Sequence, residues 1–349
     1  MHTAWKPFAL LVLASACGAR TGLPGVGDNE VGGATQGGAG AGAGPGGGGT
    51  ALDACPGELG TVTTIDLGLD EPFAMAIDDH YIYVGTLTGA DSIRRYPKEG
   101  GAAVVIRDEL EYVDEIVADG GRVFFSVEDG SVRAIDPDGA NELSLAAAAG
   151  PAGLDVNDTS VVFADYLGGT IVSVARDGGP SQTLASGLSA PYRVALVGER
   201  VFFTSSSPGV QYVATVGGPV SSMSDGSPRS FTATATHLYW GIGQFGDSRL
   251  FRAPLDSLVP EQVADLAQFG TFLGSLASDK NDVFVSINGM DDGAIASIVR
   301  VPQSGAAPTL VAPGTSRLGG PVAVDEHCVY WIDQGEQPQS GAVLRTRKP

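Results

Sequence analysis

An aliphatic residue followed by a large apolar one recurs at near-constant spacing, and this constrains the chain more than any other feature. Aligned on the second member of the pair, the register holds at Tyr83, Phe124, Val162, Phe202, Tyr239, Phe284 and Tyr330, with steps of 41, 38, 40, 37, 45 and 46 residues. A period of ~40 in glycine-punctuated units, without apolar residues at helical spacing, is that of a four-stranded propeller blade. The residue before each anchor is always aliphatic (Ile82, Val123, Val161, Val201, Leu238, Val283, Val329). The one after is usually large and apolar, as at Phe125, Phe163, Phe203, Trp240 and Trp331. A strand apolar on both faces must be buried on both, here between neighbouring blades.

Five residues before the anchors stand Asp78, Asp119, Asn157, Val197, Thr234, Asp279 and Asp325. All but Val197 can fold a side-chain oxygen back onto the backbone, so this position is expected to start the turn between the first two strands. Two residues further back the chain is mostly small (Ala76, Val117, Ala195, Thr232, Ala277, Ala323), as innermost strands crowding a narrow axis require, with Asp155 the exception. After each anchor come further hairpins marked by DG, GG or SG pairs, such as DPDGAN over 136–141. The last copy stops at Pro349 after its third strand, whereas Thr61 to Leu67 precedes the first complete unit. The expected fold is therefore all-β, a β-propeller of seven four-stranded blades with six as the alternative, closed by the N-terminal strand joining the C-terminal blade.

The run VAVDEHCVYWID, followed by SGAVLRTR, resembles the YWTD repeat of low-density-lipoprotein-receptor-type propellers. Tyr330, Trp331 and Asp333 match that motif with Ile332 in place of Thr, Asp325 matches its upstream Asp, and Tyr239-Trp240 is a second partial match. The resemblance covers 61–349 and is sharpest in one blade, and the family usually has six blades. It implies, with the TolB-like bacterial relatives, protein binding through a propeller face, and no catalytic residue carries over.

The N-terminus reads as an address. Lys6 precedes the apolar run Phe8 to Ala16, too short to span a bilayer, so residues 1–16 are expected to be a signal peptide. Ala14-Ser15-Ala16-Cys17 resembles the lipobox of bacterial lipoproteins, which implies cleavage before Cys17 and its acylation; simple secretion is the alternative. No Asp follows Cys17, which by the sorting rule of some didermal bacteria favours the outer membrane, periplasmic or surface-exposed. Residues 17–54, including GGATQGGAGAGAGPGGGG, have too few apolar groups to fold and read as a tether. Such a coil reaches on the order of 35 Å. The propeller is then expected over 55–349.

Without residues 1–16, which carry one Lys and no acid, the formal charge moves from −20 to −21. So acidic a chain argues against nucleic acid or anionic lipid as partner, leaving contact with the membrane to the lipid anchor alone. A monomer is expected. With Cys17 lipidated, Cys55 and Cys328 are left at the same end of the closing blade. A disulfide between them is expected, in an oxidising compartment, with a buried free Cys328 as the alternative.

Catalytic constellations are thin. His80, His237 and His327 fall two or three residues before their anchors, on separate blades, and cannot share one metal. DPDGAN and MDDGA (290–294) look like fragments of calcium loops but sit where hairpins need Asp-Gly, so no metal or cofactor is expected, calcium being the possible exception. Attention goes instead to the end of the ring where the first strands enter, marked by Pro72, Pro151, Pro191 and Pro228 eleven residues before their anchors. Just inside come Asp114, Glu115, Tyr192, Arg193 and Arg229, and loops on the same face add Glu128, Asp129, Asp165, Tyr166, Asp247, Asp291, Asp292, Asp333 and Glu336. Converging loops on a rigid scaffold are where function usually sits, although a merely solvated polar rim would look the same. The candidate ligand face is Asp114, Glu115, Asp155, Asp165, Tyr166, Tyr192, Arg193 and Arg229. The expected function is non-catalytic binding of an envelope protein or glycan. The alternatives are a propeller-type hydrolase or lyase with a divalent ion in the channel, and an envelope spacer without specific ligand.

Overall fold

The computed structural model describes residues 55–87, 93–110, 112–223, 228–242, 248–270, 272–288, 296–313, 319–335, 337 and 339–349. The signal peptide, Cys17, the tether, MDDGA, Asp247, Asp291, Asp292 and Glu336 lie outside these residues, as does the side chain of Arg229. The described chain forms seven four-stranded antiparallel sheets. We number them as blades 1 to 7, with innermost strands Pro72–Ile77, Val113–Asp119, Pro151–Val156, Val194–Val197, Pro228–Ala233, Phe272–Ser278 and Gly319–Val324. In blades 1 to 6 the four strands follow in chain order. In blade 7 the outermost is Thr63–Leu69, paired with Gly341–Arg347 from Thr63↔Arg345 to Leu69↔Gly341. The closing strand thus begins and ends two residues later than the sequence suggested.

The alternation at each anchor explains the packing. Ile82 and Val84 face blade 7 while Tyr83 faces blade 2, and the same division recurs around the ring. The core is accordingly seven clusters, one between each pair of neighbouring blades, including a cluster of Met75, Ile77, Tyr96, Tyr330 and Val343 between blades 1 and 7. Each buried large side chain stabilises the ring by roughly 1.5–3 kcal/mol, so closure rests on packing as well as on the strand ladder. Cys55 and Cys328 form a disulfide with Cα atoms 5.6 Å apart, joining the segment before the closing strand to the second strand of the same blade.

The turns at the end of the ring away from the inner mouth are built as the Asp series suggests. One side-chain oxygen each of Asp78, Asn157, Thr234, Asp279 and Asp325 accepts two backbone amides in the turn that follows, at 2.7–3.4 Å. In the residues quoted for the YWTD resemblance, Tyr330 also donates its hydroxyl to Asp325 at 3.0 Å, and Tyr83 does so to Asp78 at 2.6 Å. Asp119 departs from the expectation. Gly120 and Gly121 make its turn with φ of 53° and 75°, values a side chain would resist, and the Asp119 carboxylate pairs with Arg176 of blade 3 instead. Parallel links run Lys98 Nζ to Asp325 at 2.7 Å and Lys348 Nζ to Asp279 at 2.6 Å, so cations placed just after third strands bind blade to blade around this face.

Candidate binding site at the inner mouth of the ring

Six innermost strands carry a register shift near their first residues, between Pro72/Ala74, Val113/Glu115, Pro151/Leu154, Pro228/Ser230, Leu273/Leu276 and Gly319/Val322. A bulge re-aims side chains and takes an amide out of the ladder. Side chains of the preceding blade supply partners at two of these, Leu276 N donating to Ser230 Oγ at 3.2 Å and Val322 N to Ser275 Oγ at 3.4 Å; in blade 4, whose register is continuous, Leu196 N donates to Asp155 Oδ2 at 2.7 Å. Asp155 Oδ1 accepts its neighbour Val156 N at 2.9 Å, so this carboxylate binds blade 3 to blade 4.

Nine residues before the anchors, one layer of the ring holds Ala74, Glu115, Gly153, Arg193, Ser230, Ser275 and Pro321. Glu115 and Arg193 lie two blades apart, yet Arg193 Nη1 meets Glu115 Oε2 at 2.6 Å, with 2% and 1% of the two side chains exposed. Gly153, between them, makes this reach feasible. Its amide donates to Tyr192 O at 2.9 Å, and a Cβ there would stand 2.5 Å from that oxygen and 3.0 Å from Arg193 Cα. Thr204 fixes the other side: Tyr192 N donates to Thr204 O, Thr204 N to Arg193 O, and Arg193 N to Thr204 Oγ1, at 2.9, 3.0 and 3.2 Å.

The neighbouring residues make a second span. Tyr192 donates its hydroxyl to Asp114 Oδ1 at 3.1 Å, and the Arg193 guanidinium lies 4.6 Å from the centre of the Tyr192 ring. Asp114 is buried, and its Oδ2 has no hydrogen-bond partner among the described residues. Burial pushes the Asp114 carboxyl above its ordinary pKa, with Glu128 adding to the effect, while Arg193 and the Tyr192 hydroxyl oppose it. Burial likewise drives the Tyr192 phenol well up, helped by Asp114. The Tyr112 phenol is pushed up to about 12 by burial and by Asp114, Glu128 and Glu71, with Arg193 opposing. Tyr112 itself follows from no signal in the repeat, since it precedes the strand and has φ of 52°.

Asp165 shapes the lip. Its carboxylate accepts the amides of Ala149, Gly150 and Gly168 at 3.2, 2.9 and 2.9 Å, which folds the loop so that Tyr166 and Leu167 project. The Tyr166 ring stands edge-on to Tyr192 with centroids 6.2 Å apart, while Leu167 is 71% exposed. Of the residues the sequence singled out, Asp114, Glu115, Tyr192 and Arg193 therefore meet in one cluster. Tyr166 adjoins it, Asp165 supports it from the loop, and Asp155 lies deeper in the ring.

Elsewhere the described residues offer less. His80, His237 and His327 sit on or beside the opposite turns, and the DPDGAN loop closes on itself through Asn141 Nδ2 to Asp136 Oδ2 at 2.7 Å. Among the described residues, no group of three or more His, Cys, Asp or Glu is placed to hold a metal ion. A groove of about 660 Å³ between the outer strands of blades 3 and 4 is lined by small and polar residues such as Thr183, Ser186, Ser189 and Gln211, with no charged side chain.

No family model matches the chain, and no curated protein matches it. Among solved structures it is similar to the computationally designed Ika8 protein, at a TM-score of 0.54 and 14% identity over 82% of this chain and 98% of that one. A chain from a nidogen–laminin complex aligns at a TM-score of 0.48 and 15% identity, over 58% of this chain and 82% of that one. At such identity the likeness to Ika8 concerns the fold alone. The class defined by the strands and their register is a seven-bladed β-propeller.

Proposed function

We propose that this chain is a non-catalytic binding propeller that holds a protein or glycan on the face carrying Tyr166 and Tyr192. The observation that carries the reading is the pairing of an exposed apolar lip, Tyr166-Leu167, with a buried polar cluster directly beside it. Exposed apolar surface at a rim with convergent polar groups behind it is the usual composition of a recognition site. On this reading the head is exported, carried on the Gly-rich tether from a lipidated Cys17 at the outer membrane, and works as a monomer without metal or cofactor. The lipobox-like Ala14-Ser15-Ala16-Cys17 and the Cys55–Cys328 disulfide support that address.

The test compares the wild-type protein with a Tyr166→Ser/Leu167→Ser variant against an array of glycans and a panel of envelope proteins. Loss of at least about ten-fold in affinity for whatever binds, equivalent to ~1.4 kcal/mol, supports the reading. Unchanged binding by the variant contradicts it.

A further inference from the structure

We propose that the group this site takes is the ammonium of a lysine side chain on a partner protein, seated against Asp114 Oδ2 between Tyr166, Tyr192 and Tyr112. The inference rests on the binding role proposed for this face and names the chemistry of its ligand. Three observations favour it.

The first is charge. Arg193 gives its ion pair to Glu115 at 2.6 Å and also acts on Asp114, so this guanidinium is shared between two buried carboxylates, under a rim bearing the exposed Glu71 and Glu128. Backbone hydrogen bonds from Leu87 N to Glu71 O, Tyr112 N to Leu87 O and Glu128 N to Tyr112 O, at 3.0, 3.3 and 3.2 Å, bring both rim residues to Tyr112, and Glu128 also raises the Asp114 pKa. A mouth of one sign with low-dielectric walls raises the local concentration of the opposite charge.

The second is the unpartnered atom. Asp114 is buried, one oxygen is occupied by Tyr192, and the other has no hydrogen-bond partner among the described residues. A buried carboxylate oxygen left without a donor costs free energy that a ligand donor would return. With only one oxygen available, the bidentate fork that a guanidinium favours cannot form, whereas a compact ammonium on a flexible stem needs a single acceptor.

The third is the wall. Tyr192 reaches Asp114 through its hydroxyl, Tyr166 stands edge-on to Tyr192, and Tyr112 packs at 5.6 Å from Phe73. Aromatic faces attract a cation and pack against the methylene stem behind it.

The experiment uses the full chain and three fluorescent peptides, hexalysine, hexaarginine and fully Nε-acetylated hexalysine, titrated by anisotropy at physiological salt. The proposal expects hexalysine to bind about ten-fold tighter than hexaarginine, the acetylated peptide not to bind, and Asp114→Asn to remove the preference. The acetylated peptide tests the same contact from the ligand side with wild-type protein, so the result does not depend on how the variant folds. Equal binding of hexalysine and hexaarginine, unaffected by Asp114→Asn, would reveal attraction to a generally acidic chain and overturn the proposal. So would binding of neutral or amino-sugar oligomers in place of the lysine peptide. If the lysine preference is missing while Tyr166→Ser/Leu167→Ser still loses a ligand from the array, the lysine assignment fails and the binding face stands.

Discussion

Arg193 on the innermost strand of blade 4 forms its ion pair with Glu115 on blade 2, reaching past the blade that lies between. Beside it Tyr192 reaches Asp114 in the same way, so two consecutive residues bridge to two consecutive residues 78 positions earlier. These paired spans tie three blades together at the inner mouth and set the floor of the proposed site.

Gly153 is what allows blade 4 to approach so closely. Gly153→Ala would place a carbon 2.5 Å from Tyr192 O, a backbone atom with no room to yield. The expected cost is about 1–3 kcal/mol, the usual penalty of overpacking, read as a lower denaturation midpoint with an unchanged slope. A change below about 0.3 kcal/mol would show that the strands move apart freely.

The Glu115–Arg193 pair should behave as a buried charge pair. Arg193→Met removes the cation that meets Glu115 at 2.6 Å and is expected to cost about 3–5 kcal/mol. Adding Glu115→Leu to it should recover most of that loss, because the desolvation cost of both charges disappears together. A double variant as unstable as the single one would mean that the pair's other contacts dominate.

Asp114 should cost stability at neutral pH. Its folded pKa is raised, chiefly by burial, so the native state holds the proton more tightly than the unfolded chain does. The stabilisation is therefore complete below the ordinary carboxylate pKa and is lost as pH rises through the raised value. Asp114→Asn is expected to stabilise the protein at neutral pH by about 1 kcal/mol, with the gain vanishing in acid. Thermal melts at several pH values check this, and a variant destabilised at neutral pH would contradict it.

Ring closure carries the opposite pH dependence. Burial works against the Asp325 carboxylate, but Lys98 at 2.7 Å and the amides of Cys328 and His327 outweigh it and hold its pKa below the ordinary value. That stability is present above the unfolded carboxylate pKa and fades as pH falls through the lowered one. Lys98→Met should cost about 1–2 kcal/mol at neutral pH and little in strong acid. Cys55→Ser/Cys328→Ser should cost about 2–5 kcal/mol at any pH, since it releases a crosslink rather than a charge.

Much of this was legible because the repeat fixes position. Counting back from anchors such as Tyr83 and Tyr330 places every innermost strand, and an acidic pair at Asp114-Glu115 with a cation at Arg193 in the same layer pointed to one mouth. What spacing could not convey was contact. That Arg193 bypasses blade 3 depends on the absence of a side chain at Gly153, an absence no composition highlights. Asp119 shares the register of the turn-capping residues, yet two following glycines with positive φ made its cap unnecessary and left it for Arg176. Tyr112 owes its place to a loop outside the repeat, where pattern has no hold.

The most direct test of the account is hydrogen exchange on the full chain, with and without a saturating ligand from the glycan and protein panel. Binding at the inner mouth is expected to slow exchange of the amides at 165–168, 190, 192 and 193, leaving the turns at 78–81, 234–237 and 325–328 unchanged. Protection confined to those turns, or to residues 218 and 220 along the groove between blades 3 and 4, would place the ligand elsewhere and contradict the account.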